Sequence, residues 1–425
     1  MSEIIKPIDG NLEDLNIFDP ELMKSPHSLY KKLRDESPVY QDPTTGVFQV
    51  SKLELICEAA RNAKVFSNDF SLIQKDGGSN EYPKEASDIM MNEGYPPVNT
   101  MLTADPPVHT RYRGLVNKAF TPKRVQDMGP AIEEKTNGII DKFIGTGKCE
   151  VAKDIAQQLP IKVIAEALGV SSEHYDKFRI WSAAFTDQLS GTSSPAEHIE
   201  IAKKVVEFQN FFAGKLDEKG KNPTDDILSD LATIDFEDEN QVIRKLEKPE
   251  QLSIIQQLLV AGNATTAHSI TEAIKLLIEN PEQMDLVVKD HSLIPNMIEE
   301  SLRLLTPTNN MWRIVTEDTE LGGVPIPKGS TLLLRYGSGN RDEDVFENPD
   351  SFDVTRKNSR RHVAFGQGIH VCLGMNLSRK EMYTAFPIII DRLKNMRFAE
   401  GNDFNYSPNV LLRGLDNLHI EFDKA

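Results

Sequence analysis

One cysteine stands in a glycine-rich segment near the carboxyl end of the chain. Residues 365–374 read Phe-Gly-Gln-Gly-Ile-His-Val-Cys-Leu-Gly, and a helical pattern of apolar residues follows them directly. Glycines let a bulky, flat partner approach the backbone, and the start of a helix favours a thiolate over a thiol. Cys372 is therefore a candidate metal ligand, and a buried structural cysteine is the alternative for an isolated residue.

Two pairs of charged residues have helical spacing. Glu300 and Arg303 stand at i and i+3, where a surface ion pair contributes little to stability. His109 and Arg113 stand at i and i+4, in a helix for which Asp105 is the predicted N-cap. Neighbouring cations repel each other unless an anion lies between them. The second pair therefore indicates either an anion-binding site or a solvated basic face.

The longest apolar helical run of the chain extends from Leu252 to Ile278. Inside it, residues 258–266 read Leu-Leu-Val-Ala-Gly-Asn-Ala-Thr-Thr, with a glycine and small alanines in mid-helix. A glycine there weakens helix propensity by up to ~1 kcal/mol, which suggests close approach of a flat group or a kink. Ordinary helix packing is the alternative.

These segments together resemble the cytochrome P450 superfamily. Its haem-binding loop has a phenylalanine, a glycine three residues later, a cysteine four further on and a glycine two beyond. Phe365, Gly368, Cys372 and Gly374 match each of these positions. The resemblance implies that the cofactor is haem b and that Cys372 is the axial thiolate ligand of its iron.

The resemblance assigns further residues around this haem. Glu300, Arg303 and Arg356 would form a buried structural triad, in which loss of one member leaves an unpaired charge. Basic residues would hold the haem propionates, and the cysteine loop and the distal helix would supply other contacts. The expected cofactor-binding set is Cys372, His109, Arg113, Arg313, His370, Phe365, Gly366, Gly374 and Ala261.

In the family, the long helix crosses the distal haem face with the signature Ala/Gly-Gly-x-Asp/Glu-Thr. Here Ala264 replaces the acid that normally works with the following threonine, Thr265, in proton delivery. Asn263 cannot inherit that role by simple geometry, because neighbouring helix residues point about 100° apart. These three residues form the predicted catalytic segment. Either water and another side chain complete the proton relay, or the reaction needs fewer protons.

The secondary-structure patterns around these residues predict a mainly α-helical fold with small β-sheets. The resemblance implies the cytochrome P450 fold, with the haem between the long distal helix and the cysteine loop. We expect one domain over residues 1–425, with a helical middle at 105–305 and a hairpin over Val39–Val50. The β-richer segments are expected at about 37–52, 307–340 and 405–425.

Composition disfavours several classes of protein. The 425 residues include 65 Asp and Glu against 48 Lys and Arg, and the net charge of −17 disfavours nucleic acids and anionic membrane surfaces as partners. No uncharged apolar run approaches the roughly 18 residues of a membrane span, and no secretory signal pattern is present. The three cysteines indicate neither a disulfide framework nor a zinc site. We expect a cytoplasmic protein that acts on a small molecule.

The favoured function is a bacterial-type monooxygenase that activates dioxygen and hydroxylates an unactivated C–H bond. A ferredoxin and its ferredoxin reductase would supply the electrons. Six basic residues belong to segments that the family places on the proximal side, where an acidic ferredoxin would dock, and a solvated basic face is the simpler explanation. They are Lys118, Arg124, Arg360, Arg361, Arg379 and Lys380.

Three alternatives stay open. A nitric-oxide-reducing branch of the family also carries Ala-Thr at 264–265 and takes electrons directly from NADH. Against it, the expected lid at 71–100 has two lysines and five acidic residues, which is unfavourable for dinucleotide phosphates. A haem-binding sensor without turnover is the second alternative. A hydrolase built on His370 and Cys372 is the third, and the sequence indicates no orienting acid for it.

The family placement also predicts the substrate pocket. Its wall is aliphatic and methionine-rich with a few amides, which suits a medium-sized, mostly apolar molecule such as a terpenoid, a fatty acid or an aromatic compound. The predicted lining is Met90, Val260, Ala261, Ala264, Thr308, Asn309, Asn310, Met311, Val410 and Leu411.

Overall fold

A computed structural model gives the structure of residue 8 and of residues 10–69, 83–190, 193–238 and 241–423. Within these residues α-helices predominate. They are α1 (Pro20–Lys24), α2 (His27–Glu36), α3 (Leu53–Arg61), α4 (Lys84–Glu93), α5 (Val108–Asn117), α6 (Pro122–Asp127), α7 (Gly129–Ile140), α8 (Gln158–Leu168), α9 (Tyr175–Ser190), α10 (Pro195–Lys221), α11 (Ile227–Thr233), α12 (Lys248–Glu279), α13 (Pro281–Lys289), α14 (Ile294–Leu305), α15 (Tyr336–Gly339) and α16 (Met375–Arg392).

The β-strands are short. They are β1 (Val39–Gln41), β2 (Phe48–Val50), β3 (Phe66–Ser67), β4 (Lys148–Glu150), β5 (Asp235–Glu237), β6 (Ile243–Lys245), β7 (Met311–Val315), β8 (Thr319–Leu321), β9 (Val324–Ile326), β10 (Thr331–Leu334), β11 (Arg397–Phe398) and β12 (His419–Glu421).

Two sheets join segments that are far apart in the chain. The larger has the order β1-β2-β10-β7-β3, with β2 and β10 parallel and its other neighbours antiparallel. The smaller has the order β11-β12-β4, and β5–β6 and β8–β9 form separate hairpins. Val39 pairs with Val50, so the hairpin predicted over these residues is confirmed.

The predicted mainly α-helical fold with small sheets is confirmed, with corrections to its segments. The predicted helical middle also contains β4, β5 and β6. The predicted β-rich segment 405–425 holds one strand, β12, and two isolated bridges, Thr308 to Leu412 and Tyr406 to Leu415. Residues 71–82 of the expected lid lie outside the described residues, and the helix α4 follows them. The division into one domain stays a prediction.

Helix α12 runs through the largest cluster of buried apolar side chains. The carboxylate of Glu250 accepts a hydrogen bond from the N–H of Glu247 at the start of this helix, and Asn280-Pro281 ends it. Helices α8, α9 and α14 pack along α12. No helix within the described ranges is long and apolar enough to cross a bilayer.

Two polar contacts fix α12 between the helices that flank the candidate site. The hydroxyl of Thr266 lies 3.1 Å from the hydroxyl of Ser378 in α16, the helix that follows the cysteine loop. The hydroxyl of Tyr112 in α5 donates to Glu250, whose carboxylate also binds Arg244 at 2.8 Å. Helix α12 is therefore joined to α16, which follows the cysteine loop, and to α5, which carries His109 and Arg113.

Candidate active site

The cysteine loop is shaped by glycines with positive φ. Gly366 and Gly368 have φ of 70° and 77°, and a short 3₁₀ turn covers Gly368–His370. A Cβ at Gly368 would lie 2.2 Å from the carbonyl oxygen of Ala60 in α3, so no side chain fits there. The N–H of Cys372 donates to the carbonyl of Phe365 at 2.9 Å and closes the loop.

The Cys372 thiol lies half-buried just before α16. Burial raises the pKa of this thiol, while the N–H groups of Gly374 and Met375 and the Arg113 cation oppose the rise. The expected effect of the helix start is present in these N–H contributions, and burial opposes it. A bound metal cation deprotonates a coordinating thiol, so the site fits a thiolate only with the metal in place.

Four basic side chains come together beside the loop. The rings of His109 and His370 lie 4.3 Å apart between centroids. The guanidinium of Arg113 donates to the carbonyl of Val371 at 2.7 Å, and the buried Arg313 in β7 donates to a neighbouring carbonyl. Burial, then the charges of His109, Arg313 and Arg113, lower the pKa of His370 to about 3.

This basic cluster fits the propionates of a haem. Among the described residues, the hydrogen-bond partners of Arg113 and Arg313 are an amide and backbone carbonyls, with no carboxylate among them. Both ring nitrogens of His109 and Nε2 of His370 are buried without a hydrogen-bond partner. The two guanidinium groups are cations and the two imidazoles are polar groups with unpartnered nitrogens, so the cluster suits an anion that the described protein does not itself supply. Haem propionates are such anions, and the adjoining loop carries the thiol of Cys372, the predicted ligand of the haem iron.

The start of α5 differs from the sequence prediction. The helix begins at Val108 after Pro107, and Asp105 does not cap it. The Asp105 carboxylate instead accepts hydrogen bonds from the hydroxyl of Ser67 and the N–H of Asn68 at the end of β3. His109 and Arg113 still fall on one face of α5, so the correction changes the cap and leaves the basic pair in place.

The predicted catalytic segment lies in mid-helix in α12. The Thr265 hydroxyl donates to the carbonyl of Ala261 at 2.8 Å, and both residues keep accessible surface, as does Ala264. Asn263 is buried, and its amide donates to the hydroxyl of Ser182 in α9 at 2.8 Å. Asn263 therefore faces a neighbouring helix, on a different side from Thr265.

The predicted triad residues meet in one buried network. Arg303 binds both carboxylate oxygens of Glu300 at 2.8 Å, and Arg356 binds Oε1 at 2.8 Å. The two guanidinium groups also donate to backbone carbonyls between residues 340 and 351. Glu300 and Arg303 are 0% exposed and Arg356 is 8% exposed, which excludes a surface ion pair.

A second buried carboxylate beside the triad was missed by the sequence analysis. Glu299 is 0% exposed and accepts hydrogen bonds from His362, Arg379 and Tyr383. Burial alone would raise the pKa of Glu299, but these hydrogen bonds hold it well below its ordinary value. The Arg379 guanidinium also lies 4.7 Å from the ring centre of Phe365. The sequence signal that could have revealed this carboxylate is the acidic residue directly before Glu300.

The predicted pocket residues divide into two groups. Asn309 and Asn310 are buried, and their amides bind Tyr30, Thr306 and Val410, so their polar atoms are committed within the protein. The place of these two residues in the pocket wall stays a prediction, with their amides already hydrogen-bonded within the protein. The half-buried or exposed members are Met90, Val260, Ala261, Ala264, Thr308, Met311, Val410 and Leu411.

Comparison with known proteins identifies the family to which this fold belongs. Residues 192–404 match the family model described as Cytochrome P450. Cytochrome P450 107B1 of Saccharopolyspora erythraea is 34% identical over 97% of this chain and 98% of its own length. Linalool 8-monooxygenase of Pseudomonas putida is 30% identical over 96% and 99%. The solved structure of cytochrome P450 CREJ in complex with (4-ethylphenyl) dihydrogen phosphate has a TM-score of 0.87 at 28% identity, covering 97% of this chain and 100% of that chain.

A helical fold with a cysteine loop and an adjoining basic cluster is the arrangement of a haem-thiolate protein. The chain belongs to the cytochrome P450 family, as predicted from its motifs. It is accordingly an oxidoreductase of the monooxygenase class with a haem-thiolate cofactor.

Replacement of Glu300 tests the buried network. Glu300→Ala leaves two buried guanidinium groups without their carboxylate, which should cost about 3–5 kcal/mol of folding stability. We expect a lower melting temperature and little bound haem, measured by thermal unfolding and by the absorbance ratio of haem to protein.

Glu200→Ala is the matched control. Glu200 forms an exposed i,i+3 pair with Lys203 at 2.7 Å on α10, so its loss should change neither haem content nor melting temperature. If Glu300→Ala behaved like this control, the network would have no stabilising role.

Proposed function

We propose that this protein binds haem b and hydroxylates a medium-sized, mostly apolar small molecule with electrons from a ferredoxin and its ferredoxin reductase. The observation that carries the proposal is the basic cluster without a carboxylate, directly beside the loop of Cys372. Such a cluster can bind the two negative charges of a cofactor whose metal is ligated by the thiolate. The family membership supports the monooxygenase chemistry.

Each part of the site has a task in this proposal. Cys372 would ligate the haem iron, and His109, Arg113, Arg313 and His370 would bind the propionates. Haem with a thiolate ligand supplies the activation of dioxygen. The chain's own contribution is to orient this group, to exclude water and to deliver protons from the α12 side.

Thr265 is the proposed proton-delivery residue on α12. Its hydroxyl hydrogen is engaged by the carbonyl of Ala261, so its oxygen is left to accept a hydrogen bond from a donor in the site. The methyl group of Ala264 supplies no proton. The chain therefore needs a donor other than the residue at 264.

The proposed substrate follows from the side chains that keep accessible surface. Val260, Met311, Val410 and Leu411 are apolar, and Thr308 adds a hydroxyl. With the amides of Asn309 and Asn310 committed elsewhere, the wall is more apolar than the sequence indicated. A terpenoid, a fatty acid or an aromatic compound suits such a wall.

Fewer basic residues are free to bind a ferredoxin than the sequence suggested. Arg124 pairs with Asp225 and Asp230, and Arg379 is held by Glu299. Arg379 is therefore engaged by Glu299, and its part in ferredoxin docking stays a prediction. The exposed members of the set are Lys118, Arg360 and Arg361.

A second candidate function, nitric oxide reduction with NADH, is favoured by Ala264 alone. The acid that it replaces serves proton delivery to dioxygen, and a reaction with fewer protons has less need of it. The two functions differ in their reductant. Rapid anaerobic consumption of nitric oxide with NADH and no ferredoxin would replace the monooxygenase proposal.

The haem ligand and the reaction can be tested together. The reduced protein under carbon monoxide should show the strongly red-shifted Soret band of a thiolate ligand, and Cys372→Ala should abolish it. With ferredoxin, ferredoxin reductase and a ligand that shifts the haem from low to high spin, NADH consumption should yield a hydroxylated product. Retention of the band by Cys372→Ala would contradict the ligand assignment, and a lack of product from every spin-shifting ligand would contradict the activity.

The ferredoxin surface is tested by charge reversal. Arg360→Glu and Arg361→Glu should raise the apparent KM for ferredoxin severalfold, and electron transfer should slow as ionic strength rises, since salt screens the attraction. Lys328→Glu, at an exposed turn between β9 and β10, is the control and should have no effect. Turnover that is independent of salt and of both arginines would count against this docking surface.

A further inference from the structure

One face of α12 keeps accessible surface although other helices pack along its length. Ala261, Ala264, Thr265 and His268 stand at i, i+3, i+4 and i+7, the spacing of one helical stripe, and each is exposed or half-buried. The intervening residues 266–267 are buried. His268 therefore lies on the same face as the position where the family carries its acid.

The ring of His268 lies against the loop that carries Val410 and Leu411. A Cβ at Gly414 would lie 2.1 Å from Cγ and 2.4 Å from Nδ1 of the ring, so the backbone of this loop covers the imidazole closely. Nδ1 is buried and has no hydrogen-bond partner. A buried ring nitrogen without a hydrogen-bond partner is unfavourable in a folded protein, so its position beside predicted pocket residues indicates a functional role.

The His268 imidazole is neutral at pH 7. Burial lowers its pKa to about 4, against the opposing charge of Asp416 on the same loop. A neutral imidazole donates a hydrogen bond at one nitrogen and accepts one at the other. It can therefore receive a proton on one side and release one on the other.

A second unpaired group stands one turn further along α12. Glu272 is buried, and its Oε1 has no hydrogen-bond partner. It follows His268 by four residues, which places their Cβ atoms roughly 5–6 Å apart on the helix surface. Lys275, on the next turn, is paired with Glu279 at 3.1 Å. Asp416 on the loop is thus the charged group that acts on the ring, and Glu272 follows the ring by one turn on its own helix.

We propose that His268 relays protons to Thr265 in place of the missing acid at position 264, and that Glu272 passes protons to His268. The proposal rests on the monooxygenase function proposed above. It assigns a proton path of Glu272, His268 and Thr265 along one stripe of α12. His268 is a positioning and relay residue that acts through Thr265.

The proton balance of the reaction explains the need for this path. Each turnover consumes one dioxygen, two electrons from the ferredoxin and two protons from solvent, and gives one hydroxylated product and one water. Thr265 already donates its hydroxyl hydrogen to Ala261, so it needs a donor to its oxygen for every proton that it passes on. The imidazole N–H supplies that donor through water. A proton from the Glu272 side then restores the ring, so His268 undergoes no net change.

Replacement of His268 is the first test. His268→Asn keeps a polar side chain but cannot exchange protons, so the fraction of NADH electrons recovered in product should fall severalfold and hydrogen peroxide should rise. Haem content and the substrate-induced spin shift should be unchanged. His419→Asn, at an exposed histidine on β12, is the matched control and should couple like the unmodified protein. Full coupling in His268→Asn would overturn the proposal.

Rescue separates a relay from a merely structural role. Ala264→Glu should restore most of the lost coupling in the His268→Asn background, because a carboxyl on the same face supplies the proton donor. Glu272→Gln should lower coupling in the unmodified protein and add nothing to His268→Asn, since both residues act in one path. A lack of rescue would overturn the role of His268, and additive losses would overturn that of Glu272.

The pKa of His268 gives a readout that does not depend on turnover. It can be measured by imidazole NMR of the ferrous carbon monoxide form, with His268→Asn used to assign the signal. Ala264→Glu should raise this pKa by about one unit or more, because a nearby carboxylate favours the charged ring. An unchanged pKa would contradict the placement of His268 and residue 264 on one face of α12. If the unmodified protein gave no product, the proposed function would be wrong. The pKa measurement would then still show whether His268 and residue 264 lie on one face of α12.

Discussion

The buried carboxylate of Glu300 is the interaction on which the haem side of this fold depends. It binds Arg303 of its own helix and Arg356 of a segment without regular structure, and both guanidinium groups donate to carbonyls of that segment. A buried charge is tolerated only when its partners are complete. The pairing therefore fixes a long irregular stretch to α14. Glu299, the preceding residue, binds His362 and Arg379, which lie on either side of Cys372 in the chain, so two adjacent acids stabilise the cysteine loop.

Sequence reasoning succeeded where residue type and spacing are local. The glycines around Cys372, the Glu300 and Arg303 pair and the His109 and Arg113 pair could be read from neighbouring positions, and the family followed from their combination. The small sheets were harder to predict, because strands such as β4 gain their partners from the far end of the chain. Sheet pairing is long-range, so it leaves a weak local signal.

Other parts of the site depend on which way a side chain turns in the folded protein. Asn309 and Asn310 sit at the predicted pocket, but Tyr30 from α2 takes up their amide oxygens. The thiol pKa of Cys372 depends on how far the surrounding chain buries it, which outweighs the local effect of the helix start. His268 carries a signal in its spacing from Ala264, yet its burial and its contact with Gly414 arise from a loop about 150 residues away. Pairwise spacing reveals candidates, and tertiary packing decides among them.

The contact between Gly368 and Ala60 joins the cofactor loop to the amino-terminal part of the protein. With a Cβ position only 2.2 Å from a carbonyl oxygen, the loop and the end of α3 fit only when both have their final shapes. Helix α3 is itself seated on the five-stranded sheet through Leu53 and Ile56. The loop and the end of α3 therefore depend on each other for their final shape. A substitution at the end of α3 can thus disturb the cofactor loop, although more than 300 residues separate the two in the chain.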